Sequence, residues 1–222
     1  MRYLLVMSGK GGVGKTTVAT NLAAKLAEKF RVAFIDLDIY GPNGHLLLGL
    51  PEVPAVEQGE MLIPPTIDVN GRKMQFMSMA MFMPEGVGLA IKAEYVLDII
   101  RTIVEFTRWD CDLIVVDMPP GSQDVVNYTL GLVAPRAEAI LVTEPHKMSL
   151  SDCLRLYDIL KLKEVNLAAV VLNKYNLFKG AGEFERMIEG VMKVPIVKVE
   201  WDPELQDGLK PDLFEDLAEV VL

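Results

Sequence analysis

The sequence has 222 residues, 51% of them hydrophobic and 24% charged, enough to bury roughly 70% of the unfolded surface around one core, which excludes a disordered chain. Thirty-one acidic side chains against 22 basic ones give a net charge of −9, which on average repels phosphate backbones and anionic lipid, so a nucleotide has to be captured by a local device. No apolar run is long enough to span a bilayer and no cleavable signal pattern follows Met1, so a cytoplasmic protein with neither nucleic-acid nor membrane partners is expected.

The apolar run Tyr3-Leu4-Leu5-Val6-Met7 reads as a strand and leads at once into glycines. Over residues 16–30, Val18, Leu22 and Leu26 recur every four positions beside Ala19, Ala23 and Ala27, which predicts a helix with Lys25, Glu28 and Lys29 on its solvated face. Residues 32–35 form a second buried strand, ending in Asp36-Leu37-Asp38 and the turn Gly41-Pro42-Asn43-Gly44. Four prolines and three glutamates break the periodicity over 51–65, and Asp68-Val69-Asn70-Gly71 carries an Asn-Gly hairpin signal. Residues 51–83 therefore read as a Pro-rich and hairpin excursion from a single domain covering 1–222. Met74, Met77, Met79, Met81 and Met83 crowd its end, mostly as packing material for the core or hairpin.

A helix over 93–108 places Val96, Ile99, Ile100, Ile103 and Val104 on one face, and 113–116 is a buried strand. Strand 139–142, helix 149–161, strand 168–172, helix 183–192 and strand 196–199 follow. Residues 212–222 read as a closing core helix through Leu213, Phe214, Leu217 and Val221. Strands alternating with helices predict an α/β fold of three layers, a mostly parallel sheet with helices on both faces and ligands at the carboxyl ends of its strands.

Gly9-Lys10-Gly11-Gly12-Val13-Gly14-Lys15-Thr16 fits G-x-x-x-x-G-K-[ST] between a predicted strand and a predicted helix, the context of the P-loop NTPase motif. Backbone amides of Gly11, Gly12, Val13 and Gly14 suit curling around phosphates, Lys15 supplies charge to the β and γ groups, and Thr16 is left to hold Mg²⁺ beside Thr17. Asp117 closes the apolar strand Leu113-Ile114-Val115-Val116 and is the candidate for the Mg²⁺ shell. Gly121 follows Met118-Pro119-Pro120 and can bring its N–H to the γ-phosphate. Asp38 is placed at a strand end to orient the attacking water, next to the metal. His45 and His146 stand alone and receive no catalytic role.

Lys10-Gly11-Gly12-Val13-Gly14-Lys15-Thr16-Thr17 resembles the deviant Walker A loop of the MinD, ParA and nitrogenase-iron-protein group. That resemblance implies an ATP-sandwiched homodimer in which the early lysine, Lys10, reaches the partner's nucleotide. Within the group, Asp36-Leu37-Asp38-Ile39-Tyr40-Gly41-Pro42-Asn43, Asp117-Met118-Pro119-Pro120-Gly121-Ser122-Gln123-Asp124 and Val142-Thr143-Glu144-Pro145 resemble the Mrp/ApbC family of iron–sulfur carrier ATPases over nearly the whole chain, including Phe76-Met77-Ser78-Met79 and Asp202-Pro203-Glu204. The resemblance implies a slow ATPase that switches its affinity for a client in cluster assembly, and implies that Asn173 reads the adenine edge.

One departure stands out. Many Mrp-type carriers place a CxxC pair after that asparagine strand, whereas residues 173–182 hold no cysteine. The two cysteines present, Cys111 and Cys153, are 42 positions apart, which excludes a disulfide framework or a structural zinc clip; both read as small core hydrophobes. An iron–sulfur cluster remains an implication of the resemblance, with ligands from a partner. Two other functions stay open: a MinD- or ParA-like positioning ATPase, which the net charge disfavours, and an ATP-binding scaffold subunit beside a cysteine-bearing paralogue.

Overall fold

The computed structural model describes residues 1–39, 41–82, 92–121 and 123–222; Tyr40, Met83 and Ser122 of the stretches read above lie outside the described residues. In chain order the elements are β1 (Arg2–Met7), α1 (Lys15–Leu26), β2 (Val32–Asp36), α2 (Gly44–Leu47), β3 (Glu57–Gln58), β4 (Leu62–Ile63), β5 (Thr66–Val69), β6 (Arg72–Ser78), α3 (Ala93–Glu105), β7 (Leu113–Asp117), α4 (Gln123–Val133), β8 (Ala137–Thr143), α5 (Lys147–Leu162), β9 (Asn166–Asn173), α6 (Ala181–Met192), β10 (Ile196–Val199) and α7 (Glu215–Val220).

Eight strands form one sheet in the order β10-β9-β8-β1-β7-β2-β6-β5. Every pairing in it is parallel except β5 with β6. The central strands β1, β7 and β2 are apolar almost without interruption because both faces of the sheet are covered there. Period two sorts their side chains: Tyr3, Leu5 and Met7 of β1, Ala33 and Ile35 of β2 and Ile114 and Val116 of β7 enter one core with buried residues of α3, α4, α5 and α6. Leu4, Val6, Phe34, Leu113 and Val115 enter the other, with Val18 and Leu22 of α1 and Leu217 of α7. This is the predicted three-layer α/β arrangement.

The Asn-Gly signal is a tight hairpin, with Asn70 and Gly71 at φ 51° and 78°, as a two-residue turn with left-handed central residues requires. Its second strand, β6, pairs in parallel with β2, so residues 66–78 extend the main sheet. Met74, Met77 and Met79 are buried there. No helix was read over 123–133, yet α4 forms and buries Val125, Val126, Leu130 and Val133; Asn127, Thr129 and Gly131 dilute its apolar stripe.

Three local expectations are corrected. The helix read over 16–30 ends at Leu26. Lys25, expected on a solvated face, is buried and paired with Glu28, Asp212 and Glu215. The closing segment is a 3-10 turn, Pro211–Phe214, followed by the short α7; Phe214, Leu217 and Val221 are buried but Leu213 is exposed, because Pro211 starts a turn of three residues, not 3.6, and rotates it outward. Among the described residues no helix is long and apolar enough to cross a membrane.

Candidate functional site

The carboxyl ends of β1, β7 and β2 lie side by side, with Val6 in register with Asp117 and Asp117 in register with Asp36. The glycine loop leaves β1 at this edge and returns as α1. Gly12 and Gly14 are left-handed, at φ 82° and 88°, and flank Val13, which is not; this alternation turns successive amides to one side as an anion nest. Gly14 is also the N-cap of α1 and offers no side-chain acceptor, so the first-turn amides are left for a ligand. A Cβ on Gly14 would collide with Asn173 Nδ2, and one on Gly9 would fall 2.5 Å from Asp152 Cβ. Gly11 and Gly12 face open space.

Lys15 is buried, and its Nζ donates to Asp117 Oδ1 at 2.5 Å, while Thr16 Oγ1 donates to Asp117 Oδ2 at 2.7 Å. Asp117 is wholly enclosed, and burial pushes its carboxyl upward from the usual range against the pull of Lys15 and Thr16. Three predicted residues are thus in mutual contact. Thr17 lies one residue further along α1, its carbonyl accepting from Thr20 and Asn21.

The other predicted residues surround this centre at different distances. Asp38 is half-buried, accepts from the Gly41 amide at 3.2 Å, and its charge acts on Asp117. Gly121 is left-handed at φ 62°, and a Cβ there would lie 3.9 Å from the Gly9 carbonyl, which puts it against the start of the loop. Lys10 is exposed, and its carbonyl accepts from the Ser8 hydroxyl at 3.0 Å. Asn173 is buried at the end of β9, and its amide nitrogen donates to the Val13 carbonyl at 2.7 Å, which ties that nitrogen to the glycine loop.

Three residues of the site had no role in the sequence reading. Asp36 is fully buried and accepts from the Asp38 amide at 3.0 Å and the Gly44 amide at 2.9 Å, tying down both ends of the segment that carries Asp38. Burial and then the nearby Asp117 charge raise its carboxyl to about 7. Its signal was the Asp-Leu-Asp spacing, because period two puts both carboxylates on one side of a strand end. Lys174 Nζ donates to the Gly12 carbonyl at 2.8 Å and to Glu144 Oε1 at 2.7 Å. No spacing rule links 12, 144 and 174, which meet only because β8 and β9 end beside the loop.

A model of the ParA family, described as NUBPL iron-transfer P-loop NTPases, matches residues 1–189. The chain belongs to that family. This ParA/NUBPL-type chain is 36% identical to an iron–sulfur cluster carrier protein of Pyrococcus horikoshii, over 96% of its own length and 80% of the relative's. It is 30% identical to a carrier of the same description from Helicobacter pylori, covering 92% of this chain but 58% of that protein. Among solved structures, a nucleotide-binding protein of Archaeoglobus fulgidus in complex with ADP superposes with a TM-score of 0.73 at 23% identity, over 99% of this chain and 87% of that one. The cell division ATPase MinD of Pyrococcus furiosus superposes with a TM-score of 0.69 at 24% identity, over 99% and 98%. At those identities the superpositions establish the P-loop NTPase fold of this family member.

Proposed function

We propose that this chain is a cytoplasmic, magnesium-dependent ATPase that dimerises around nucleotide and switches its hold on a client in iron–sulfur cluster assembly. The observation that carries the reading is the convergence of Lys15 and Thr16 on Asp117 beneath a left-handed glycine loop. In this scheme the amides of 11–14 and the α1 terminus cradle the phosphates with Thr17, Lys15 neutralises the β and γ groups, and the Gly121 amide contacts the γ-phosphate. Asp38 orients the attacking water, Lys10 supplies charge to the partner's nucleotide, and the Asn173 carbonyl oxygen is left for the adenine edge.

Among the described residues no group of three or more His, Cys, Asp or Glu is arranged to hold a metal ion. Mg²⁺ is held through one or two carboxylates and completes its shell with phosphate, hydroxyl and water oxygens; Asp117 and Asp38, with the Thr16 hydroxyl, are the residues that would hold it. When bound it neutralises charge developing on the phosphates.

A cluster is a different matter. Iron–sulfur clusters need thiolates, commonly four, and Cys111 and Cys153 are both buried in the core. The chain therefore carries cluster as cargo only with ligands from elsewhere, and the buried thiols favour a second reading, a nucleotide-binding subunit working beside a cysteine-bearing partner. Titration calorimetry with magnesium-ATP tests the common ground: the wild-type chain binds, Lys15→Ala does not, and retained affinity in the variant overturns the assignment.

A further inference from the structure

Two consecutive residues at the end of β9 hold two consecutive carbonyls of the glycine loop. Asn173 Nδ2 takes the Val13 carbonyl at 2.7 Å, and Lys174 Nζ takes the Gly12 carbonyl at 2.8 Å. A carbonyl and the next residue's amide belong to one peptide plane and point in opposite directions. Holding these oxygens on the β9 side therefore fixes the amides of Val13 and Gly14 on the other.

The lysine does not cap its own 3-10 turn, Tyr175–Leu177. Instead Glu144 Oε1 fixes its ammonium at 2.7 Å, and the two side chains are 26% and 12% exposed. Glu144 is itself tethered: its amide donates to Ser149 Oγ at 3.2 Å, and His146 Nε2 lies 3.3 Å from its other oxygen. The cation is thus carried on a support rooted in β8 and the first turn of α5, independent of the loop it holds.

On the strength of the nucleotide reading above, we propose that Lys174, braced by Glu144, is a positioning residue that keeps the glycine loop in its phosphate-accepting form before nucleotide arrives. It acts on the triphosphate through the loop backbone and makes no contact with the base. A bond between a charged donor and a backbone acceptor is worth enough that Lys174→Met weakens binding about tenfold.

The test is calorimetry with two probes, magnesium-ATP and magnesium tripolyphosphate, which has no base or ribose. Lys174→Met weakens both by the same factor and raises KM for ATP while kcat at saturation stays within about twofold, and Lys174→Arg restores part of the affinity for both. Loss for ATP alone, or no loss, overturns the clamp. Glu144→Gln gives a smaller parallel loss, and if Lys174→Met does not fold, an unchanged Glu144→Gln overturns it in the same way. A wild-type chain that binds neither probe overturns the nucleotide reading and the clamp with it; a normal wild type with unaffected variants overturns the clamp alone.

Discussion

A buried thiol is a poor ligand as well as a poor nucleophile, and both cysteines are of this kind. Burial, with Asp112 adding to it, pushes the Cys111 thiol up to about 11, and burial alone pushes Cys153 up to about 12. An acid whose folded value is raised keeps its proton through neutral pH, so at pH 8 on the order of one Cys111 in a thousand is thiolate, against roughly a quarter of an unfolded thiol. Native protein at pH 8 is expected to resist iodoacetamide at both positions and to react fully once unfolded in guanidinium; rapid native labelling, read by intact mass, would contradict the burial. The reading of both residues as core hydrophobes was available from their apolar neighbours, Leu150 and Leu154 on one helix and the β7 run after the other. The roles of Glu144 and Lys174 were less accessible, because hydrogen bonds that span 30 positions between the two and 162 from Lys174 to Gly12 leave no periodicity to read.

At the scale of elements, the sheet strands were legible because parallel strands buried on both faces are short apolar runs, and β7 and β10 were located to within a residue. Helices were legible where the apolar stripe was clean, as in α3 with Val96, Ile99, Ile100, Ile103 and Val104 all buried. They were missed where polar residues interrupt it, as in α4. The C-terminal segment was placed correctly in the core but assigned the wrong local form, since Pro211 imposes a 3-10 turn that hydrophobic spacing does not encode. Its anchor is Phe214, fully buried against the α1 face, with Lys25 joined to Asp212 and Glu215 on either side. Phe214→Ala is expected to lower unfolding free energy by about 3–5 kcal/mol, measured by urea titration. A loss below 1 kcal/mol would mean that the segment is not integral to the fold.

For the whole molecule, the fold and the family were both visible in the motifs, whereas the homodimer came only as an implication of the resemblance, because an assembly leaves no trace in one chain's periodicity. Lys10 is the residue on which the dimer reading turns: it is exposed while Lys15 and Asp117 are buried. Lys10→Ala should bind magnesium-ATP with affinity near that of wild type yet stay monomeric in light scattering under conditions where the parent chain doubles its mass. Equal dimerisation of the two would remove Lys10 from the interface. The closed contact between Lys15 and Asp117 sets a condition on whatever enters. A polyphosphate arriving alone would draw the ammonium away and strand an enclosed carboxylate, a change that costs about 3–5 kcal/mol when one member of a buried pair is lost. Arriving with a divalent cation, it hands each of the separated charges a new counterpart, so that entry is a swap of ionic partners. Under the proposed function, the resting ion pair thereby favours the cation-bound form ahead of any chemistry.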